Sequence, residues 1–128
     1  MSLPGNLKYT KDHEWVRVEG DKAIVGITDF AQNELGELVF VDLPQVGKSV
    51  AQKDTLCVVE STKAASDVYS PVSGTVAEVN SELSNTPDLI NKAPYEGGWI
   101  AKLSGFNASE IGSLMDATQY QAFLGNKA

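Results

Sequence analysis

The sequence predicts a mainly β fold, and three observations carry that expectation. Short apolar runs rich in Val and Ile recur along the chain, turn signals separate them every several residues, and Thr75-Val76-Ala77-Glu78-Val79 alternates as a half-buried strand does. No low-complexity tract or Pro/Gly/Ser linker divides the 128 residues, of which 42% are hydrophobic. That length and composition suit one domain over residues 1–128, with a core region over about 22–104 and a C-terminal helical segment over about 109–125.

Each element follows from local chemistry. Trp15-Val16-Arg17-Val18-Glu19 and Ala23-Ile24-Val25-Gly26-Ile27 flank Gly20-Asp21-Lys22, the pattern of a hairpin with glycine at its turn. Thr28 or Asp29 caps a short helix through Leu35, and Gly36 stands where a left-handed terminating residue is wanted. Leu38 to Leu43 is a strand ended by Pro44, and Val46-Gly47 makes the next turn. Thr55 to Val59 and Ala65 to Tyr69 are two further strands.

Pro71, Ser73 and Gly74 mark a turn before the strand at Thr75, and the polar stretch from Asn80 to Pro87 is expected to be loop. Trp99 to Leu103 supplies the last strand. A helical pattern begins at Ser109 with Ile111, Leu114 and Met115 on one face and continues through Tyr120, Phe123 and Leu124. These helices are expected to cover the open side of a sheet. Val46, Gly47 and Val50 are echoed by Val72, Gly74 and Val76, an internal symmetry that suggests two similar sheet halves.

Composition excludes several functions. A net charge of −7 with ten basic residues provides no clustered cationic face for nucleic acid, and favours basic protein partners. One cysteine and one histidine, Cys57 and His13, supply neither a disulfide nor a zinc site. Cys57 lies in an apolar run and reads as a core thiol. No run approaches a membrane span, and the start Met-Ser-Leu-Pro-Gly has no secretory pattern, so a cytoplasmic protein is expected. The Asn107-Ala108-Ser109 sequon has no meaning in that compartment.

Lys63 is distinguished by position. An isolated lysine is ordinarily a solvated charge, but this one sits in the tight polar connection Glu60-Ser61-Thr62-Lys63-Ala64 between two strand candidates. Its stem should project from a rigid scaffold. A nucleophilic lysine needs burial or neighbouring cations to lower its pKa, which a hairpin tip does not offer. Modification by another enzyme needs only exposure and fixed geometry. Lys63 is therefore expected to hold a covalently attached swinging cofactor.

Val59-Glu60-Ser61-Thr62-Lys63-Ala64, with Ser70-Pro71-Val72-Ser73-Gly74 downstream, resembles the lipoyl-attachment region of the glycine cleavage H-protein family. Lys8-Tyr9, His13-Glu14-Trp15, Val25 to Thr28, Val39 to Pro44, Leu89-Ile90-Asn91, Pro94-Tyr95 and Gly98-Trp99 fit the family in order and spacing, so the resemblance covers nearly the whole chain. Biotin carriers usually place methionines beside their lysine, whereas Thr62 and Ala64 stand here. Lipoyl domains of the 2-oxoacid dehydrogenases are shorter modules on Pro/Ala-rich linkers. One departure is Phe30, where the family commonly carries histidine.

The resemblance implies a lipoyl/biotinyl-domain-like fold, a flattened β-barrel or a sandwich of two small sheets with a short internal helix. It implies one lipoate in amide linkage to Lys63, installed by a lipoate ligase or by octanoyltransferase and sulfur insertion. A non-catalytic, monomeric carrier would then receive the aminomethyl group of glycine from a pyridoxal-phosphate glycine decarboxylase. It would pass that group to a tetrahydrofolate-dependent aminomethyltransferase, and present the dithiol to dihydrolipoyl dehydrogenase, which uses FAD and NAD.

A loaded arm needs shelter from water, and Glu14, Asp67 and Asp12 are candidate docking carboxylates. Glu60 and Gly74 are candidate contacts or geometry setters for the lipoylating enzyme. Two other readings are an enzyme using His13, Glu14 and Cys57, and an H-like carrier relaying lipoate to other enzymes.

Overall fold

A computed structural model describes residues 5–125; both ends of the expected 1–128 domain, including most of the segment read for a leader, lie outside them. In chain order the elements are β1 (Lys8–Tyr9), β2 (Glu14–Glu19), β3 (Lys22–Ile27), α1 (Asp29–Leu35), β4 (Leu38–Asp42), β5 (Ser49–Val50), β6 (Thr55–Ser61), β7 (Ala65–Tyr69), β8 (Gly74–Val79), α2 (Glu82–Asn85), α3 (Leu89–Lys92), β9 (Ala101–Ser104), α4 (Ala108–Ile111) and α5 (Ala117–Gly125).

The strands form two antiparallel sheets, one ordered β1-β2-β3-β9-β8-β5 and the other β4-β6-β7. Of the two expected forms, the structure takes the open pair of sheets; no closed barrel forms among the described residues. The β2–β3 hairpin turns at Gly20-Asp21, with Glu19 opposite Lys22 and Gly20 at φ 61. Thr28 caps α1 by accepting from the Ala31 amide, and Gly36 ends it at φ 83. Both features were expected from local chemistry.

Between the sheets, Val16, Val25, Ile27, Val76 and Leu103 meet Val41, Leu56, Val59 and Val68 in one apolar core. The opposite face of the larger sheet buries Tyr9, Trp15 and Ile24 against Tyr120 and Leu124 of α5. The Tyr9 and Tyr120 rings stack with centroids 4.7 Å apart. The C-terminal helix thus covers the sheet's outer face, as expected. Gly26 makes room for Trp15 on the neighbouring strand: a Cβ there would fall 2.6 Å from the indole.

Three expectations require correction. The stretch read as loop after Asn80 contains α2, whose Leu83 is fully buried, and it leads into α3, whose Ile90 is fully buried. One fully buried residue per short turn gives no readable period, yet it suffices to fold the turn onto the core. The C-terminal helical pattern is broken: α4 stops at Ile111, and Met115 instead exchanges backbone hydrogen bonds of 2.8 and 3.0 Å with Tyr9. The free edge of β1 needs partners, and that requirement overrides helical propensity. The last strand begins at Ala101, although Ile100 already donates its amide to Val25 O at 2.8 Å. Among the described residues no helix is long and apolar enough to cross a membrane.

Candidate functional site

Lys63 stands at the end of the β6–β7 hairpin. The strands hold Glu60 opposite Ala65 and Val59 opposite Ser66, leaving Ser61 to Ala64 as the turn. Ser61 closes it three ways. Its amide donates to Ala64 O at 2.7 Å, its Oγ donates to the same oxygen at 3.2 Å, and its Oγ accepts from the amides of Lys63 at 3.3 Å and Ala64 at 3.1 Å. A serine opening a tight turn is a recognisable signal for such side-chain bonding, and Ser61 carries that signal in the sequence.

The Lys63 side chain is exposed and enters no ion pair among the described residues. It does not extend straight outward. Its stem lies over the end of α1, where a Cβ built on Gly36 would stand 3.5 Å from Cε and 4.0 Å from Nζ.

Glu14 occupies the opposite environment. It starts β2 on the same face as Val16, is 2% exposed, and projects toward the free edge of β7. Thr10 Oγ1 donates to its Oε1 at 2.6 Å, and the Tyr69 amide donates to its Oε2 at 3.2 Å. Burial pushes its pKa from 4.5 up to about 7; the bonds from Thr10 and Tyr69 oppose the shift and the charge of Asp12 adds to it. Thr10 also fixes the approach to β2, its Oγ1 accepting from the amides of Asp12 at 3.2 Å and Glu14 at 3.1 Å.

Glu14 lies in a cleft of about 360 Å³ with Tyr9, Thr10, Asp12, Lys53 and Tyr69 on its walls. Exposed Asp12 also borders a shallower depression along α1, beside His13, Phe30, Leu35 and Ser66. The structure therefore brings Glu14 and Asp12 to one cleft. Asp67 is placed differently. Its exposed side chain is in register with Val58, and alternation with buried Val59 and Val68 puts it on the outer face of the small sheet, two residues before the Tyr69 amide that holds Glu14.

Glu60 is exposed at the base of the hairpin, in register with Phe40 and Ala65. Gly74 does not have a positive φ, so backbone strain does not account for it. Close packing does: a Cβ there would sit 3.0 Å from Ser104 O and 3.2 Å from Leu103 Cβ. Phe30 tilts against the His13 ring at 4.6 Å between centroids, and His13 Nδ1 shares a 2.8 Å hydrogen bond with Tyr120 Oη. Cys57 is buried in the core, and burial pushes its thiol up to about 12. A thiol held so far above its ordinary value stays un-ionised, the opposite of what a nucleophile in the enzyme reading would need.

Comparison with known proteins gives one consistent result. The family model described as "Glycine cleavage H-protein" matches residues 7–127. A glycine cleavage system H protein of Symbiobacterium thermophilum is 53% identical over 122 residues, covering 95% of each chain. One from Escherichia coli O7:K1 is 54% identical over 124 residues, covering 96% of each. The crystal structure of a glycine cleavage system H protein from Mycobacterium marinum superposes with a TM-score of 0.87 at 38% identity, covering 96% of this chain and 99% of that one.

Proposed function

We propose a function from one premise: the chain belongs to the glycine cleavage H-protein family. Its part is that of the lipoyl carrier, with lipoate held in amide linkage on Lys63. The observation that carries this reading is an exposed amine, free of ion pairs among the described residues, on a turn closed by the three bonding roles of Ser61. Those residues fit the group, because acylation of an amine requires access and a fixed approach.

When attached, the lipoyl dithiolane supplies a disulfide that accepts the aminomethyl group of glycine and is thereby reduced. The protein's own residues do the rest by position. Ser61 holds the turn, and the end of α1 supports the lysine stem. Glu14 offers a carboxyl inside a partly enclosed cleft, where an ammonium would draw it into the ionised form and gain a charge-assisted hydrogen bond. Asp12 adds negative charge at the junction of the two depressions, and Asp67 adds it on the outer face beside the hairpin.

In this role the chain performs no chemistry alone. It works as a single-domain monomer in the cytoplasm, visiting glycine decarboxylase, aminomethyltransferase and dihydrolipoyl dehydrogenase. A tethered group has an effective concentration on the order of millimolar wherever its carrier docks. Glu60, exposed beside the lysine, is available to the lipoylating enzyme, while Gly74 contributes by keeping β8 close to β9.

The test is reconstitution with glycine decarboxylase. Fully lipoylated chain is expected to support glycine-dependent exchange of carbon dioxide, and the Lys63→Arg protein to support none. Lipoylated chain that supports no exchange would refute the glycine cleavage role. Glu14→Gln should still be lipoylated but should shorten the lifetime of the loaded state; equal lifetimes would remove Glu14 from the docking role.

A further inference from the structure

We propose that Asn91, on α3, is a positioning residue for Lys63, acting through the two backbone segments that support the lysine; this rests on the lipoyl-carrier reading above. Asn91 touches both segments from more than fifty positions away in sequence. Its Nδ2 donates to Gly36 O at 2.8 Å and to Gln32 Oε1 at 2.9 Å, and its Oδ1 accepts from the Leu38 amide at 2.9 Å. Both amide hydrogens and one carbonyl lone pair are engaged.

Each bond falls on something that bears on the lysine. Gly36 is the ledge beneath the Lys63 stem, held at a positive φ of 83 that favours glycine. Gln32 Nε2 donates to Asp29 Oδ1 at 2.6 Å, so the same network runs the length of α1. Leu38 opens β4 directly opposite Ser61, the residue that closes the turn around Lys63. One side chain therefore sets the ledge and the root of the hairpin together.

The platform carrying Asn91 is itself fixed. Ile90 is fully buried, and Gly98 packs so tightly on α3 that a Cβ there would stand 2.8 Å from Ile90 Cα. The hydrogen bonds of Asn91 among the described residues go to Leu38, Gln32 and Gly36 rather than to Lys63. Asn91 determines where the amine rests when an acyl donor arrives. In that step unprotonated Lys63 Nζ attacks the carbonyl carbon of a lipoyl adenylate. The new C–N bond replaces the C–O bond to AMP, AMP leaves with the electron pair, and the nitrogen's excess proton passes to solvent.

Asn91→Asp keeps the acceptor for Leu38 and loses both donors. Unmodified full-length chain, acylated by lipoate ligase with lipoate and ATP, should show kcat lowered about tenfold in this variant with KM within about twofold, because a misplaced nucleophile costs rate more than docking. Amide hydrogen exchange at residues 61–64 should quicken in parallel. Asn80→Asp is the control: Asn80 donates to Gly97 O at 2.8 Å and Trp99 O at 2.9 Å, a side-chain amide clamp in another place.

Gly36→Ala, which alters the ledge with Asn91 intact, should lower kcat as well, and carries the test if Asn91→Asp fails to fold. The proposal is overturned if Asn91→Asp, or in its place Gly36→Ala, is acylated at the parent's kcat. It is also overturned if Asn80→Asp slows the reaction as much, which would reduce the effect to lost stability. Failure of the parent to be acylated at Lys63 would instead refute the carrier reading, and the exchange rates would still decide whether Asn91 orders the hairpin.

Discussion

The Lys63 turn and the Glu14 cleft are held together in opposite ways. Within the turn, the bonds of Ser61 to Lys63 and Ala64 join residues within three positions of one another, with Asn91 acting only on the segments outside it, and the Lys63 side chain is exposed. In the cleft, the carboxyl is buried and satisfied by Thr10 on one side and by Tyr69, 55 positions away, on the other. An exposed turn can be closed locally and at little cost in stability. A polar pocket between sheets cannot, because an ionised group removed from water requires partners on every side.

The largest expected difference between the two regions is in pH dependence. Glu14 has its folded pKa raised from 4.5 to about 7, so between those values the folded state holds a proton that the unfolded state has released. Stability should therefore fall as pH rises through that window, by at most about 1.4 kcal/mol per pH unit from this group, and the loss should be complete above it. Glu14→Gln removes the linkage. Relative to the parent it should gain stability as pH is raised from 4.5 to 7, measured by denaturant unfolding, even as it shortens the lifetime of the loaded state. A parallel pair of pH curves would show that burial does not govern this carboxyl.

A smaller effect is expected from Glu14→Ala at pH 4.5, where the parent carboxyl is largely protonated. Losing both partners from a buried site should cost about 1–3 kcal/mol. The smallest stability effect belongs to the turn: Ser61→Ala exposes groups that water can satisfy and should cost less than about 1 kcal/mol. Its acylation should nevertheless slow, read as kcat with the ligase. A Ser61→Ala protein acylated at the parent rate would break the claim that the turn is ordered for modification.

The same contrast explains what the sequence disclosed. The β2–β3 turn at Gly20, the Thr28 cap and the Gly36 terminus are local chemistry, and they are where the spacing placed them. The Lys63 hairpin was legible for that reason, as was the covering of the sheet by the segment around Tyr120. The depth of Glu14 was not, because Thr10, Glu14 and Tyr69 converge only after the two sheets pack. Helix α2 was hidden by a polar stretch with one informative residue, Leu83, and the break before α5 by a backbone edge that no side-chain period records. The need of Gly74 for space was not legible either, because it depends on Ser104 and Leu103, distant in sequence.

The most direct measurement is intact mass with peptide mapping of the chain produced in lipoate-supplied cells, beside the Lys63→Arg protein. One lipoyl increment is expected, confined to the peptide containing Lys63 and absent from the variant. A lipoyl increment on any other lysine, or one that persists when Lys63 is replaced, would contradict that expectation.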